Sequence, residues 1–314
     1  MKVVIFCGGK GLRLRDYSDT TPKPMVTVGQ RPILWHTMKY FAHHGHKDFI
    51  LALGHKAEAI KDFFLNYVEA MSNDFVLTNG GRTVTLLSSD IDDWSITFAN
   101  TGIESNIGER LLRVRDHVAD DDMFLCAYAD CLTDAPLDKM IDRLAQSDKI
   151  MSFIAVKPTA SFHAVQYGPD GEVASIRPSD ELGIFINGGF WVMRREIFDY
   201  IRPGEEIVDQ PMQRLIAAGK LLAYRYDGFW TCMDTFKEKM MLDDMVTNGG
   251  AKWQLWEKPE ASPLPALCAQ TPKVSSPAIT PVSPPAITPV SPLAITPAPD
   301  GITATPPAAC PSRS

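Results

Sequence analysis

The chain has 314 residues, 45% of them apolar, and a formal net charge of −7, so it can bury one large or two modest cores while offering no general attraction to nucleic acid or an anionic membrane. Neither of those is expected as a partner. Its apolar runs are too short for a secretory leader or a membrane span, and cysteines at 7, 126, 131, 232, 268 and 310 show neither C-x-x-C spacing nor the density of a secreted scaffold, which predicts a cytoplasmic protein with reduced thiols.

In chain order, Lys2–Cys7 reads as a buried strand, and the polar stretch GGKGLRLRDYSDTTPKPM follows at once over positions 8–25. Gly8, Gly9 and Gly11 free the backbone to turn and to bring bare N–H groups against phosphate oxygens. Arg13 adds a planar cationic fork, and Lys23 adds a compact charge held between Pro22 and Pro24. Together they describe a cradle for a polyphosphate. The spacing fits neither the dinucleotide fingerprint nor the P-loop.

A helix is predicted over Arg31–His44, with Pro32 near its start and Gly45 at its stop. Strands at Asp48–Leu53, Met123–Tyr128 and Ile150–Val156 alternate with helices at Lys56–Ala70, Arg110–Val118 and Leu137–Gln146. That alternation predicts an α/β protein with a doubly wound, mainly parallel sheet covered on both faces. In such a sheet ligands sit beyond the carboxyl ends of the strands, where the stretch after the first strand emerges. Further strands at His163–Tyr167, Val173–Ile176, Ile184–Met193 and Leu221–Tyr226 are expected to extend the same sheet.

Two carboxylates look chemical. Asp130 stands just past the strand ending at Tyr128, and Asp234 follows the aromatic segment Phe229–Cys232, with a helix after it. Converging from two strand ends they would suit Mg²⁺; singly, each is also a candidate helix N-cap, Asp234 above all. Cys131 adjoins Asp130 and Cys232 lies two residues before Asp234, so convergence of the acids would bring the thiols near each other, whereas strand alternation would pack them apart. His43, His44 and His46 read as cations suited to a helix C-terminus, Asp120–Asp122 as a solvated turn, and the methionines of 233–245 as a packing face.

Composition changes after Trp256: of 24 prolines, 15 lie between Pro259 and Ser314, and Ala-Ile-Thr-Pro recurs at 278–281, 286–289 and 294–297. The expected division is a domain over 1–257 and a disordered Pro-rich tail over 258–314.

These residues resemble the sugar-1-phosphate nucleotidyltransferases, and among them the glucose-1-phosphate cytidylyltransferases. Gly8-Gly9-Lys10-Gly11-Leu12-Arg13-Leu14 is similar to the family's G-G-x-G-[ST]-R-L loop and Lys23-Pro24-Met25 to its K-P-M. Arg31-Pro32-Ile33-Leu34-Trp35-His36, Ile186-Asn187-Gly188-Gly189-Phe190, Gly228-Phe229-Trp230 and Met233-Asp234-Thr235 resemble the cytidylyltransferase subgroup. The resemblance implies a Rossmann-like nucleotidyltransferase fold and self-association. It implies transfer of a nucleotidyl group from an NTP, CTP in this subgroup, to a sugar 1-phosphate, with Mg²⁺ as cofactor. It assigns catalysis to Arg13 and Lys23, nucleotide binding to Gly8, Gly9, Gly11, Leu12, Arg13 and Glu109, and the metal to Asp130 and Asp234. Sugar-phosphate binding falls to Arg177, Asn187 and Gly188.

Four places depart from the family pattern. Leu12 replaces a hydroxyl residue, Ala129-Asp130-Cys131 replaces G-D-G, and Ile107 and Glu109 interrupt T-G-x-x-x-x-T-G-G-R. Ser175-Ile176-Arg177-Pro178 stands where E-K-P is usual. They leave room for a second reading, a nucleotide-sugar-binding or regulatory relative without turnover, and for a third in which the tail makes the chain a scaffold.

Overall fold

A computed structural model describes residues 1–9, 21–158 and 163–257. The chain divides into two units, Met1–Glu260 and Ala261–Ser314, and every described residue lies in the first. Gly11, Leu12, Arg13 and the expected tail fall outside the described residues.

The centre is a seven-stranded sheet made of β1 (Val3–Phe6), β2 (Asp48–Leu53), β3 (Ser95–Asn100), β4 (Met123–Tyr128), β5 (Met151–Val156), β6 (Ile186–Arg194) and β7 (Leu221–Tyr226). Their order across the sheet is β7-β5-β6-β4-β1-β2-β3. β1 runs parallel to β2 and β4, β2 to β3, and β5 to β7, while β6 is antiparallel to both β4 and β5. The expected doubly wound, mainly parallel sheet is therefore present, with one reversed strand inserted.

Every residue of β1 is buried because both faces of the sheet are covered, as parallel sheets require. Val3 and Ile5 join a core with Leu34, Met38 and Phe41 of helix α1 (Ile33–His43). Val4 and Phe6 face the other way, into a core with Leu111 and Phe198. Helices α2 (Ala57–Leu65), α3 (Ile107–Arg113), α4 (Leu137–Ala145), α5 (Gln210–Ala217) and α6 (Phe236–Thr247) complete the layers. A third, smaller cluster gathers Val26, Val28, Ile33, Leu132, Met233, Leu242 and Trp253. Among the described residues no helix is long and apolar enough to cross a membrane.

Several expectations need correction. Among the described residues His163–Tyr167 and Val173–Pro178 pair only with each other, as a separate antiparallel ribbon; their mostly exposed side chains are not those of a strand buried on both faces of a central sheet. Asp234 does not cap α6. Thr235 does, in a capping box with Glu238. His46 is not a cation at neutral pH: burial, with the nearby chain N-terminus, lowers its pKa to about 4. Of the methionines, Met233 is buried while Met240 and Met241 are exposed.

Candidate active site

β1 and β4 are neighbours with Phe6 opposite Tyr128, so the segments leaving their carboxyl ends, Cys7-Gly8-Gly9 and Ala129-Asp130, emerge side by side. This is where the strand order reverses, the position at which such sheets bind ligands.

Asp130 is followed by a short strand, Cys131–Thr133, that pairs antiparallel with Trp230–Cys232. Met233 N donates to Asp130 O at 2.9 Å, which carries Asp234 to the same place. The ribbon is anchored from below by the Trp230 indole, which donates to Gly188 O at 2.8 Å. Asp134 secures its open end, accepting from Tyr226 Oη at 2.5 Å and Phe229 N at 2.9 Å.

Lys23 completes the group. It opens the 3₁₀ turn Lys23–Met25 with Pro22 extended before it, and its ammonium bridges the Asp130 carboxylate and Asp234 Oδ1, the latter at 2.5 Å. The bond to Asp234 spans 211 positions of sequence. The Lys23 side chain is 13% exposed, against 24% for Asp130 and 33% for Asp234. Burial alone would lower the ammonium's pKa, but the two carboxylates, Asp130 first, outweigh it and hold the group charged, above its ordinary range. A cation thus stands where two hard oxygen ligands converge.

The remaining candidates are placed as follows. Gly8 is buried and its carbonyl accepts from Arg110 Nη2 at 3.0 Å; a Cβ on Gly8 would stand 2.0 Å from the Arg110 Cζ. Gly9 is exposed, and among the described residues nothing lies within 4 Å of its Cβ position. Asn187 uses its carbonyl oxygen internally, accepting from Gly189 N and Trp191 Nε1, each at 3.0 Å. That leaves the NH₂ as the end it can present outward. Around Gly188 and Gly189 the space a side chain would need is filled from within, by Ile154 and Trp230 and by the Tyr128 ring.

Glu109 lines a depression of about 590 Å³ with Gly102, Ser105, Asn106, Arg113 and Gly204. Its carboxylate accepts from Arg113 Nε at 3.0 Å and Gly204 N at 3.4 Å, so its charge is compensated. Arg177 is exposed on the separate ribbon opposite Ala164. Among the described residues no hydrogen bond or ion pair joins it to the Lys23 group.

Arg110 is the residue that sequence reasoning passed over. Only 2% exposed, it donates from Nη1 to Leu53 O, Thr101 Oγ1 and Gly102 O and from Nη2 to Gly8 O and Ile103 O. It pins the start of the glycine loop to the ends of β2 and β3. The signal available was its place as the arginine closing the Thr101–Arg110 segment.

Residues 2–235 match the Nucleotidyl transferase family. The chain is 36% identical over 260 residues to the glucose-1-phosphate cytidylyltransferase of Salmonella typhimurium, covering 82% of this chain and 100% of the relative. The glucose-1-phosphate cytidylyltransferase of Salmonella typhi matches to the same extent. Among solved structures, HddC from Yersinia pseudotuberculosis superposes with a TM-score of 0.57 at 19% identity, over 78% of this chain and 99% of that one, a likeness of fold. With a family match across most of the chain and relatives aligned over their whole length, the chain belongs to the sugar-1-phosphate nucleotidyltransferase family.

Proposed function

We propose that the protein transfers the nucleotidyl group of CTP to glucose 1-phosphate, releasing pyrophosphate, with Mg²⁺ held by Asp130 and Asp234. The observation that carries this is the convergence of Lys23, Asp130 and Asp234 beside the ends of β1 and β4. CTP and glucose 1-phosphate come from the relatives' names and from their full-length alignment.

Two carboxylates already gathered around an ammonium suit Mg²⁺, which takes one or two protein carboxylates, substrate phosphates and several waters. Among the described residues no cluster of three or more His, Cys, Asp or Glu side chains forms a metal site, consistent with a shell that substrate oxygens complete. When bound, the ion supplies charge stabilisation and a template for phosphate oxygens.

A phosphate oxygen of the sugar 1-phosphate forms a bond to the α-phosphorus as the bond to the bridging oxygen of the pyrophosphate breaks. No protein nucleophile is required. Lys23 is assigned to neutralise the α-phosphate region, and Gly8 and Gly9 to bring backbone N–H groups to the polyphosphate. By the resemblance Arg13 is assigned to the leaving pyrophosphate, and Gly11 and Leu12 to nucleotide binding. Asn187 presents its NH₂ to the sugar. In such displacements alignment and charge stabilisation carry most of the catalysis. A regulatory relative without turnover drew partly on Glu109 as a bare anion; its pairing with Arg113 weakens that reading.

The test is direct. Purified protein incubated with Mg²⁺, glucose 1-phosphate and each of four NTPs in turn is expected to release pyrophosphate and form CDP-glucose with CTP. Silence across all four NTPs and a panel of hexose 1-phosphates would overturn the proposal. Truncation after Glu257 is expected to leave turnover intact, since the tail is assigned no part in it.

A further inference from the structure

Cys131 begins the strand after Asp130, and Cys232 ends the strand before Asp234. The two cysteines stand directly opposite each other in the antiparallel ribbon. Hydrogen-bonded pairs alternate along such a ladder. Met233 N donates to Asp130 O, and Asp134 N to Phe229 O, which makes Cys131 and Cys232 a non-hydrogen-bonded pair. In such pairs the Cα atoms are about 4.5 Å apart and the side chains share one face. That separation lies within the span a disulfide bridges.

Both thiols are free. Cys131 is 3% exposed and Cys232 is partly exposed, so a reagent reaches Cys232 first. Each thiol also touches a candidate metal ligand: Cys131 Sγ donates to Asp130 Oδ1 and Cys232 Sγ to Asp234 Oδ2, both at 3.5 Å.

We propose that Cys131 and Cys232 are a redox modification site, closing a reversible disulfide by exchange with a low-molecular-weight disulfide such as oxidised glutathione. The Cys232 sulfur attacks one sulfur of the small disulfide and releases one small thiol, leaving a mixed disulfide. The Cys131 sulfur then displaces the second small thiol. The protein pair loses two electrons and two protons, and the small disulfide, taking up both, becomes two thiols. Closing the bond withdraws the S–H donors from Asp130 and Asp234. The effect on turnover rests on the transferase function proposed above; the bond itself does not.

The full chain is incubated with oxidised glutathione, its remaining thiols are alkylated, and a tryptic digest is mapped by mass spectrometry. Cys131 falls in peptide 116–139, which also holds Cys126, and Cys232 falls in 226–237. The expected product is these two peptides joined, two hydrogens lighter than their sum, with fragmentation placing the link at Cys131 and dithiothreitol separating them. A link at Cys126, glutathione left on Cys232, or alkylated thiols at both positions would overturn the proposal. In Cys232→Ser the linked pair should vanish, while the serine hydroxyl keeps a donor toward Asp234. Pyrophosphate release should fall roughly tenfold or more on oxidation, the scale of losing hydrogen bonds to charged groups, return with dithiothreitol, and ignore glutathione in C232S. A linked peptide in an active enzyme whose turnover does not change overturns the effect on the carboxylates. A linked peptide in a protein inactive even when reduced counts against the transferase function and leaves the bond standing.

Discussion

Lys23-Pro24-Met25 and Arg31-Pro32-Ile33-Leu34-Trp35-His36 are neighbouring segments that carry the same family resemblance, yet they do opposite jobs. The first sends its lysine to two carboxylates at the sheet's ligand-binding edge. The second is sealed inside: Trp35 is 5% and His36 2% exposed. His36 Nε2 pairs with Val28 O at 3.0 Å and Trp253 Nε1 donates to His36 Nδ1 at 3.3 Å, the arrangement of a neutral imidazole. A signature motif can therefore mark an ion-paired group at the edge of the sheet or the platform beneath it, and burial tells the two apart.

Four measurements would break or sharpen that contrast. Trp253 is fully buried, stacked on Phe229 with centroids 5.6 Å apart, so Trp253→Ala is expected to cost about 3–5 kcal/mol in denaturant unfolding. Turnover per folded molecule should change far less. Lys23→Met should do the converse, lowering kcat/KM by roughly 10²–10³-fold while the unfolding midpoint moves little. If K23M unfolds the protein and W253A silences a folded one, the contrast is wrong.

Acidification probes the platform through His36. Burial, more than the nearby Arg31, lowers the His36 pKa from 6.5 to about 4. Between those values the unfolded chain takes up a proton that the folded chain refuses, so stability present above pH 6.5 is lost as pH falls toward 4. The His36 contribution is about 3 kcal/mol, with His46 acting in the same direction, and equilibrium unfolding at pH 7 and pH 4.5 measures it. Smallest of the four, Thr235→Ala removes the cap of α6 and should cost about 1 kcal/mol.

Continuous apolar runs made much of the fold legible. Asp48–Leu53 and Met123–Tyr128 were readable to the residue because burial on both faces leaves little polar interruption; Leu221–Tyr226, a half-exposed edge strand, was legible from its leucines and tyrosines. Val173–Pro178 misleads for the same reason: its valine, alanine and isoleucine look like core, yet it sits in a ribbon whose two strands pair only with each other. Ser95–Asn100 escaped notice because it is an edge strand whose ends are exposed. At the site, strand ends pointed to Asp130 and Asp234, and the fold brings both to Lys23. What no local pattern contains is the five-way grip of Arg110, since its partners meet only after folding; the pairing of Glu109 with Arg113, by contrast, is an i,i+4 spacing on one helix that was open to reading.

The small cluster under Lys23 has a consequence for how the protein is made. Val26 and Val28, beside that lysine, are seated on Met233, Leu242 and Trp253, residues synthesised more than two hundred positions later. A nascent chain that has just paired its first four parallel strands offers those valines only Ile33 and Leu132 of their cluster, and leaves the lysine without Asp234. The Lys23 group is therefore completed late in translation, and until then the growing polypeptide carries a partly uncovered apolar surface of the kind that chaperones bind.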